Sequence, residues 1–168
     1  YCIPMAIEES SVVAACAKSA TFWLERGGFK TYVKDTAKVG HVHFTWSGDE
    51  VELKKWFDTN AQSFIDGTAS ITQNMRNRGG GITKVELINK TAEETNYYQI
   101  KAEFQTVDAM GANFINSCLE EFSKILESGL NASDLEGDLE VIMCILSNYT
   151  PDCTVVAEVE CPVEELNV

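Results

Sequence analysis

Apolar side chains recur at helical spacing in three long stretches, over residues 12–24, 51–65 and 110–126. The i, i+3, i+4 spacing predicts an amphipathic helix in each. The second helix is expected to bury Val51, Leu53, Trp56, Phe57, Ala61, Phe64 and Ile65. The third is expected to present Met110, Phe114, Ile115, Cys118, Leu119, Phe122, Ile125 and Leu126 on one face. The chain is organised around this third helix.

Residues with strong end-of-helix preferences bound the first two stretches. Gly27-Gly28 ends the first helix, and Gly48-Asp49 begins the second. Gly67 breaks the second helix, and Thr68 is expected to cap a short further helix that continues through Met75. The chain therefore contains a helical pair between its first and second strands.

Asp108 stands where the N-cap of the third long helix is expected. Ala109, Gly111 and Ala112 leave its first turn almost bare of side chains, so a ligand can approach the backbone. The free N–H groups and the positive end of the helix dipole favour an anion such as a phosphate. The alternative is that small residues only allow this turn to pack closely against a neighbouring element.

Alternating or continuous apolar runs predict strands over residues 41–46, 82–88, 97–106, 141–146 and 153–161. A flexible turn is expected over residues 76–81, which carry Arg76, Arg78 and three glycines. From residue 41 to residue 146 the order is β-α-β-β-α-β. This order predicts an α+β fold of the split β-α-β, or ferredoxin-like, kind, with an antiparallel sheet and helices on one face.

Composition and charge restrict the class of protein. The 168 residues are 45% hydrophobic and 23% charged, as in ordinary globular domains, and no apolar run approaches the roughly 20 residues of a membrane span. The net charge of −13 makes nucleic acid an unsuitable partner. None of the six cysteines forms a C-x-x-C pair, which favours a reducing, cytoplasmic setting.

Two further groups of side chains are candidates for chemistry. His41 and His43 lie on the face of the first strand opposite its apolar residues, but no acidic or cysteine partner stands at a useful spacing, so we predict no metal. Glu8 and Glu9 precede the first helix, which Ser10 or Ser11 can cap. From the pattern alone, the two acids are simply well placed at a helix N-terminus.

Three short motifs give these features a context. They are D-A-M-G-A-N at residues 108–113, P-M-A-I-E-E-S-S-V-V-A-A at residues 4–15, and I-L-S-N at residues 145–148. The first resembles the dinucleotide-binding motif of the 3-hydroxy-3-methylglutaryl-coenzyme A (HMG-CoA) reductases. The second resembles the glutamate motif of that family, and the third is similar to the segment that closes its cofactor domain. The resemblance is closest to the bacterial, class II form.

The resemblance implies an oxidoreductase that interconverts HMG-CoA and mevalonate by two hydride transfers with NAD(P)H, releasing or using coenzyme A. It divides the chain into an N-terminal piece of the large substrate-binding domain (1–38), a small cofactor-binding domain (39–150) and a strand returning to the large domain (151–168). It also implies a homodimer or higher homo-oligomer. The family's catalytic lysine, aspartate and histidine lie downstream, so we expect this chain alone to be inactive.

Site residues follow from the same resemblance. Glu9 matches the catalytic glutamate, and Ser11 matches a substrate-contacting serine that equally suits a helix cap. The residues expected to bind the cofactor are Asp108, Ala109, Met110, Gly111, Ala112, Asn113 and Asn148.

The cofactor preference rests on fewer residues. In the family, the residues that select the cofactor precede the glycine-rich turn, at a place close to Thr72, and some members that use NAD have an aspartate there. Arg76 and Arg78 favour NADPH through its 2′-phosphate, although NADH stays possible and both arginines can also be read as solvated turn residues.

A second function class competes with the enzyme. The chain can also be read as a non-catalytic ferredoxin-like module that binds a small ligand or self-associates through its sheet. That alternative leaves the D-A-M-G-A-N motif and Glu9 unexplained.

Overall fold

The computed structural model describes residues 9–166. The first residues of the glutamate motif, with Glu8, and also Cys2, lie outside the described residues. The helices are α1 (Ser10–Leu24), α2 (Glu50–Gly67), α3 (Ala69–Asn77) and α4 (Ala112–Asn131), with a 3₁₀ turn at Val163–Leu166. The strands are β1 (Lys30–Asp35), β2 (Lys38–Trp46), β3 (Gly81–Asn89), β4 (Tyr97–Gln105), β5 (Leu139–Leu146) and β6 (Thr154–Glu158). The predicted α+β class is confirmed.

The chain divides into two compact units. The continuous unit is Asp35–Cys153, and the split unit consists, among the described residues, of 9–34 and 154–166. No described helix is both long enough and apolar enough to cross a membrane. The functional domain boundaries predicted above stay predictions.

The split unit contains α1 and a two-stranded sheet in which β1 pairs with β6. Helix α1 ends as predicted, because Gly27 and Gly28 adopt φ angles of 94° and 73° and the Gly28 N–H donates to the Trp23 carbonyl at 2.7 Å. Strand β1 was not predicted, because all six of its side chains are exposed and give no hydrophobic alternation.

The continuous unit is built on a four-stranded sheet in the order β3-β4-β2-β5, with all neighbours antiparallel. Strand β2 is central: Val42 lies opposite Ile100 of β4 on one side and Cys144 of β5 on the other. The side chains on one face of β2 and β4 are buried in the same core as those of α2 and α4. The element order is the predicted one, and α3 is the short helix predicted after α2, although it continues to Asn77 instead of Met75.

The core joins this sheet to α2 and α4. Phe64 of α2 meets Phe122 of α4 edge to face, with ring centroids 5.3 Å apart. Five of the predicted apolar positions of α4 have no exposed surface: Ile115, Cys118, Leu119, Phe122 and Leu126.

Two positions predicted on the buried faces of α2 and α4 are exposed. Val51 is 74% exposed because it lies two residues before the buried Leu53, about 200° away around the helix. Met110 is 69% exposed because it precedes α4 and lies in the loop before it.

Candidate functional site

The loop between β4 and α4, residues 106–111, is held from within by a buried threonine. Thr106 has no exposed surface; its hydroxyl donates to the Ala109 carbonyl at 2.6 Å, and the Ala109 N–H donates back to the Thr106 carbonyl at 3.0 Å. The Lys38 ammonium, at the start of β2, donates to the same hydroxyl at 3.0 Å. A cation is therefore fixed directly behind the loop that carries the D-A-M-G-A-N motif.

The prediction that Asp108 caps α4 is wrong. Gly111 is the N-cap, in the left-handed conformation (φ 82°, ψ 7°), and the helix begins at Ala112. Asp108 is exposed within the turn closed by Thr106 and Ala109, three residues too early to reach the first helical N–H groups. No side chain caps α4, so its first turn presents uncapped N–H donors, as an anion site requires.

The I-L-S-N segment ends β5 beside α4. The Leu146 N–H donates to the Asn116 side-chain oxygen of α4 at 2.9 Å, and the Ser147 N–H donates to the Val39 carbonyl of β2 at 2.8 Å. Asn148 follows and is exposed. The structure therefore links the segment that carries Asn148 to the helix that begins at Ala112.

Glu9 and Ser11 lie at the start of α1, in the split unit. Glu9, not Ser10 or Ser11, is the N-cap, because its carbonyl accepts the first helical bonds, from Val12 and Val13, at 3.1 Å each. The Ser11 hydroxyl donates to the Glu9 carboxylate at 2.6 Å instead of capping the backbone. Both side chains are exposed.

The two arginines of the expected turn belong to α3. Arg76 lies in its last turn and donates to the Ala69 carbonyl at 3.0 Å. Arg78 is the C-cap and points a guanidinium nitrogen at the Met75 sulfur, 3.4 Å away. The glycine-rich turn is thus shorter than predicted, because α3 continues to Asn77. Both arginines are exposed.

The glycine-rich turn lies against the end of β4. A Cβ placed on Gly80 would come within 2.4 Å of the Gln105 carbonyl, and Gly81 pairs with Gln105 in the sheet. Residues 78–81 therefore lie at the same end of the paired strands β3 and β4 as the loop that begins at Thr106.

The two threonines before this turn face inward. Thr72 is buried and its hydroxyl donates to the Thr68 carbonyl at 3.0 Å. Thr68 occupies the N-cap position of α3 as predicted, but its hydroxyl donates backwards, to the carbonyls of Phe64 and Ile65, instead of capping. Neither hydroxyl is presented to a ligand.

The histidine pair lies on the sheet face opposite the core. His43 Nδ1 is 2.5 Å from the Tyr97 hydroxyl, and the Gln99 amide donates to that hydroxyl at 2.9 Å. Partial burial lowers the pKa of both histidines, and His41 is lowered further by His43 and by Lys101. Within residues 9–166 no three His, Cys, Asp or Glu side chains are grouped to hold a metal.

Lys38, Thr106 and Asn116 were not predicted as residues of the site. The partners of Lys38 and Asn116 are distant along the chain, so sequence spacing does not indicate these contacts. The position of Asn116 is a weak indication of another kind, because it is a polar residue next to the buried Ile115 of α4.

Comparison with known sequences adds an independent result. The family model for hydroxymethylglutaryl-coenzyme A reductase matches residues 1–168. A probable 3-hydroxy-3-methylglutaryl-coenzyme A reductase of Borreliella burgdorferi is 28% identical over 154 residues, which are 92% of this chain and 33% of the relative. The 3-hydroxy-3-methylglutaryl-coenzyme A reductase of Archaeoglobus fulgidus is 29% identical over 127 residues, 76% of this chain and 29% of the relative. The chain thus spans about a third of the length of these relatives.

Solved structures give the same result. The class II 3-hydroxy-3-methylglutaryl-CoA reductase of Streptococcus pneumoniae, bound to NADPH in open conformations, superposes with a TM-score of 0.71 at 28% identity, over 90% of this chain and 39% of that one. A second structure of the S. pneumoniae reductase gives the same score and identity, over 90% and 34%. The resemblance carried by the three motifs is confirmed, and this chain belongs to the hydroxymethylglutaryl-coenzyme A reductase family.

Proposed function

We propose that this chain supplies the cofactor-binding part and the catalytic glutamate of a class II HMG-CoA reductase, which interconverts HMG-CoA and mevalonate with NADPH. The observation that carries the proposal is the uncapped N-terminus of α4, preceded by a left-handed Gly111, at the D-A-M-G-A-N motif of a member of this family. Family membership does not favour the alternative of a non-catalytic module.

The donors around α4 suit a dinucleotide diphosphate. The N–H groups of Ala112, Asn113 and Phe114 open the helix, where the dipole and the free donors favour an anion. Residues 108–111 precede these donors, with Asp108 and Met110 exposed and Ala109 and Gly111 half-buried. Asn113 and Asn148 are exposed and available for further hydrogen bonds. The residues present therefore fit a nicotinamide dinucleotide, which supplies the hydride when bound.

We assign Glu9 the role of proton donor. It would protonate the substrate oxygen when the thioester, and later the aldehyde, is reduced. The Ser11 hydroxyl already donates to Oε1 of its carboxyl group. We therefore assign the transferred proton to Oε2. Ser11 can in turn contact substrate by exchanging this bond for one to the ligand.

We assign the 2′-phosphate of NADPH to Arg76 or Arg78. Both guanidinium groups are exposed, and each donates within residues 9–166 to one uncharged acceptor. Planar guanidinium groups bind phosphate in a bidentate manner. The NADPH-bound S. pneumoniae relative supports this preference over NADH.

Calorimetric titration of NADPH and NADH into the chain tests the assignment. Replacing the responsible arginine by alanine is expected to weaken NADPH about tenfold, since a charged hydrogen bond contributes roughly 1.5–3 kcal/mol, and to leave NADH unchanged. Lys90→Ala is the control, because Lys90 follows the far end of β3. Equal losses for both cofactors, or tighter binding of NADH by the unmodified chain, would contradict the assignment.

The wider setting of the enzyme is also proposed. HMG-CoA, mevalonate and coenzyme A are its substrates and products, the cytoplasm is its location, and a homodimer or higher homo-oligomer is its assembly. Residues 1–38 and 151–168 are assigned to the substrate-binding domain, and residues 39–150 to the small domain. Light scattering tests the assembly, and a strict monomer at high concentration would argue against it.

A further inference from the structure

Asn116 ties the end of one motif to the helix that begins with the other. Its side-chain oxygen accepts the Leu146 N–H at 2.9 Å, in a partly buried contact that spans 30 positions of sequence. Leu146 is the last residue of β5 and lies opposite Gly40 of β2. The N–H of the next residue, Ser147, returns to β2 at the Val39 carbonyl. The end of β5 is therefore fixed from the helix and from the sheet at successive residues.

Asn148 projects from a short turn directly beyond this double attachment. The Ser147 hydroxyl accepts the Tyr149 N–H at 3.0 Å and lies 3.1 Å from the Tyr149 carbonyl. These bonds close the backbone around Asn148 and leave its side chain exposed. Because the turn is internally bonded, its position relative to α4 depends on where Leu146 and Ser147 are anchored.

We propose that Asn116 is a positioning residue for cofactor binding: by holding the Leu146 N–H, it sets the distance between Asn148 and the first turn of α4. The inference rests on the proposed function and adds to it a residue that none of the three motifs contains. Asn113 and Asn116 are one helical turn apart, so a shift of β5 against α4 changes the separation of Asn113 and Asn148 directly. Asn116 acts through Leu146, and we assign it no contact with the dinucleotide.

The test compares the loss of the hydrogen-bond acceptor of Asn116 with the loss of its side-chain volume. Asn116→Ala removes both, whereas Asn116→Leu keeps a side chain of similar size without an acceptor. Both variants are expected to raise the Kd for NADPH about five- to tenfold, because an N–H that loses its partner no longer fixes the strand end. Ser117→Ala, at the adjacent exposed position of α4, is the control and should leave the Kd unchanged.

A double-mutant cycle distinguishes a positioning effect of Asn116 on Asn148 from a general loss of NADPH affinity. Asn148→Ala is expected to weaken NADPH by itself, and adding Asn116→Ala to it should then cost less than about twofold, because both changes remove the same contribution. Amide hydrogen exchange at Leu146 should become faster in the Asn116 variants and stay unchanged in Ser117→Ala.

The outcomes distinguish this inference from the function on which it rests. If the unmodified chain does not bind NADPH, the proposed function fails and the inference fails with it. If the unmodified chain binds NADPH while Asn116→Ala and Asn116→Leu bind within about twofold of it, only the positioning role is overturned. Recovery of affinity in Asn116→Leu alone would assign the effect to packing, and fully additive losses in the cycle would show that Asn116 does not act through Asn148. Either result would also overturn the role.

Discussion

Thr106 and Gly111 pack against each other across the loop that precedes α4, so closely that a Cβ on residue 111 would lie 2.5 Å from the Thr106 methyl carbon. Thr106 cannot easily move away, because its hydroxyl is bonded to Ala109 and to Lys38. The same glycine has a φ of 82°, which disfavours side chains independently of space. The N-terminus of α4 therefore depends on one glycine for two separate reasons.

Gly111→Ala is expected to lower the free energy of unfolding of the continuous unit by about 2–4 kcal/mol, through left-handed strain and steric overlap together. It should also weaken NADPH more than tenfold if the proposed site is correct, because the helical N–H groups move. Urea unfolding and calorimetry measure the two effects. Gly79→Ala is the matched control: Gly79 has a φ of 89° but open space around its Cβ position. Equal destabilisation by both variants would mean that the contact with Thr106 is unimportant.

Val107 is a β-branched residue with a φ of 53° in the same loop. It is 38% exposed, so its removal costs only part of the packing that a fully buried valine contributes. Val107→Gly should raise the free energy of unfolding by about 0.5–1 kcal/mol, since relief of left-handed strain exceeds the entropy cost of glycine. Asn96→Gly is the control, because Asn96 has a φ of 61° but asparagine tolerates this conformation. A loss of stability in Val107→Gly would contradict the strain argument.

Lys38 places a positive charge behind a helix N-terminus whose first turn contains no acidic residue. If a diphosphate binds there, Lys38→Met should weaken NADPH about tenfold and reduce the salt dependence of binding, as expected for one lost charged contact. Titrations at two salt concentrations provide the measurement. Lys54→Met makes the same change in net charge on α2 and should have no effect. A Lys38 variant that loses stability but keeps its affinity would limit the lysine to supporting the loop.

The lowered pKa values of His41 and His43 predict a pH dependence of stability. Because the folded-state pKa values lie below the unfolded value of about 6.5, the unfolded chain binds more protons as the pH falls through that range. The histidine contribution to stability should therefore be constant above about pH 7 and fall as the pH is lowered towards 5. Unfolding measured across this range tests it, with proton NMR titration of the imidazoles. His41→Gln and His43→Gln should each flatten the slope; an unchanged slope in both would assign it to other groups.

The sequence predicted secondary structure correctly where buried side chains recur at regular intervals along the chain. The apolar positions of α4 predicted a helix, and five residues of that helix are fully buried. Its start was misplaced because Asp108 is a good N-cap residue by type, while the turn closed by Thr106 determines where the helix begins. Strand β1 could not be predicted, because none of its side chains is buried.

Only the residues of the candidate site that lie within the three motifs could be predicted from the sequence. The cofactor-binding assignments for residues 108–113 and for Asn148 came from resemblance, and they stay proposals. The contacts of Lys38 with Thr106 and of Asn116 with Leu146 join residues 68 and 30 positions apart. Such pairs become visible only when the sheet is assembled, since their identity depends on the register of β2, β4 and β5.

The pairing of β1 with β6 has a consequence for the order in which this chain folds. These strands are separated in sequence by almost the entire continuous unit. Closing them in an unfolded chain would cost loop entropy that grows with the length of the intervening segment. Once the continuous unit has folded, Val39 and Ser147, near its two ends, are joined by a hydrogen bond of 2.8 Å, so only the short segments beyond them are left to close. We therefore expect β1 and β6 to meet last, with the continuous unit serving as the template for their pairing.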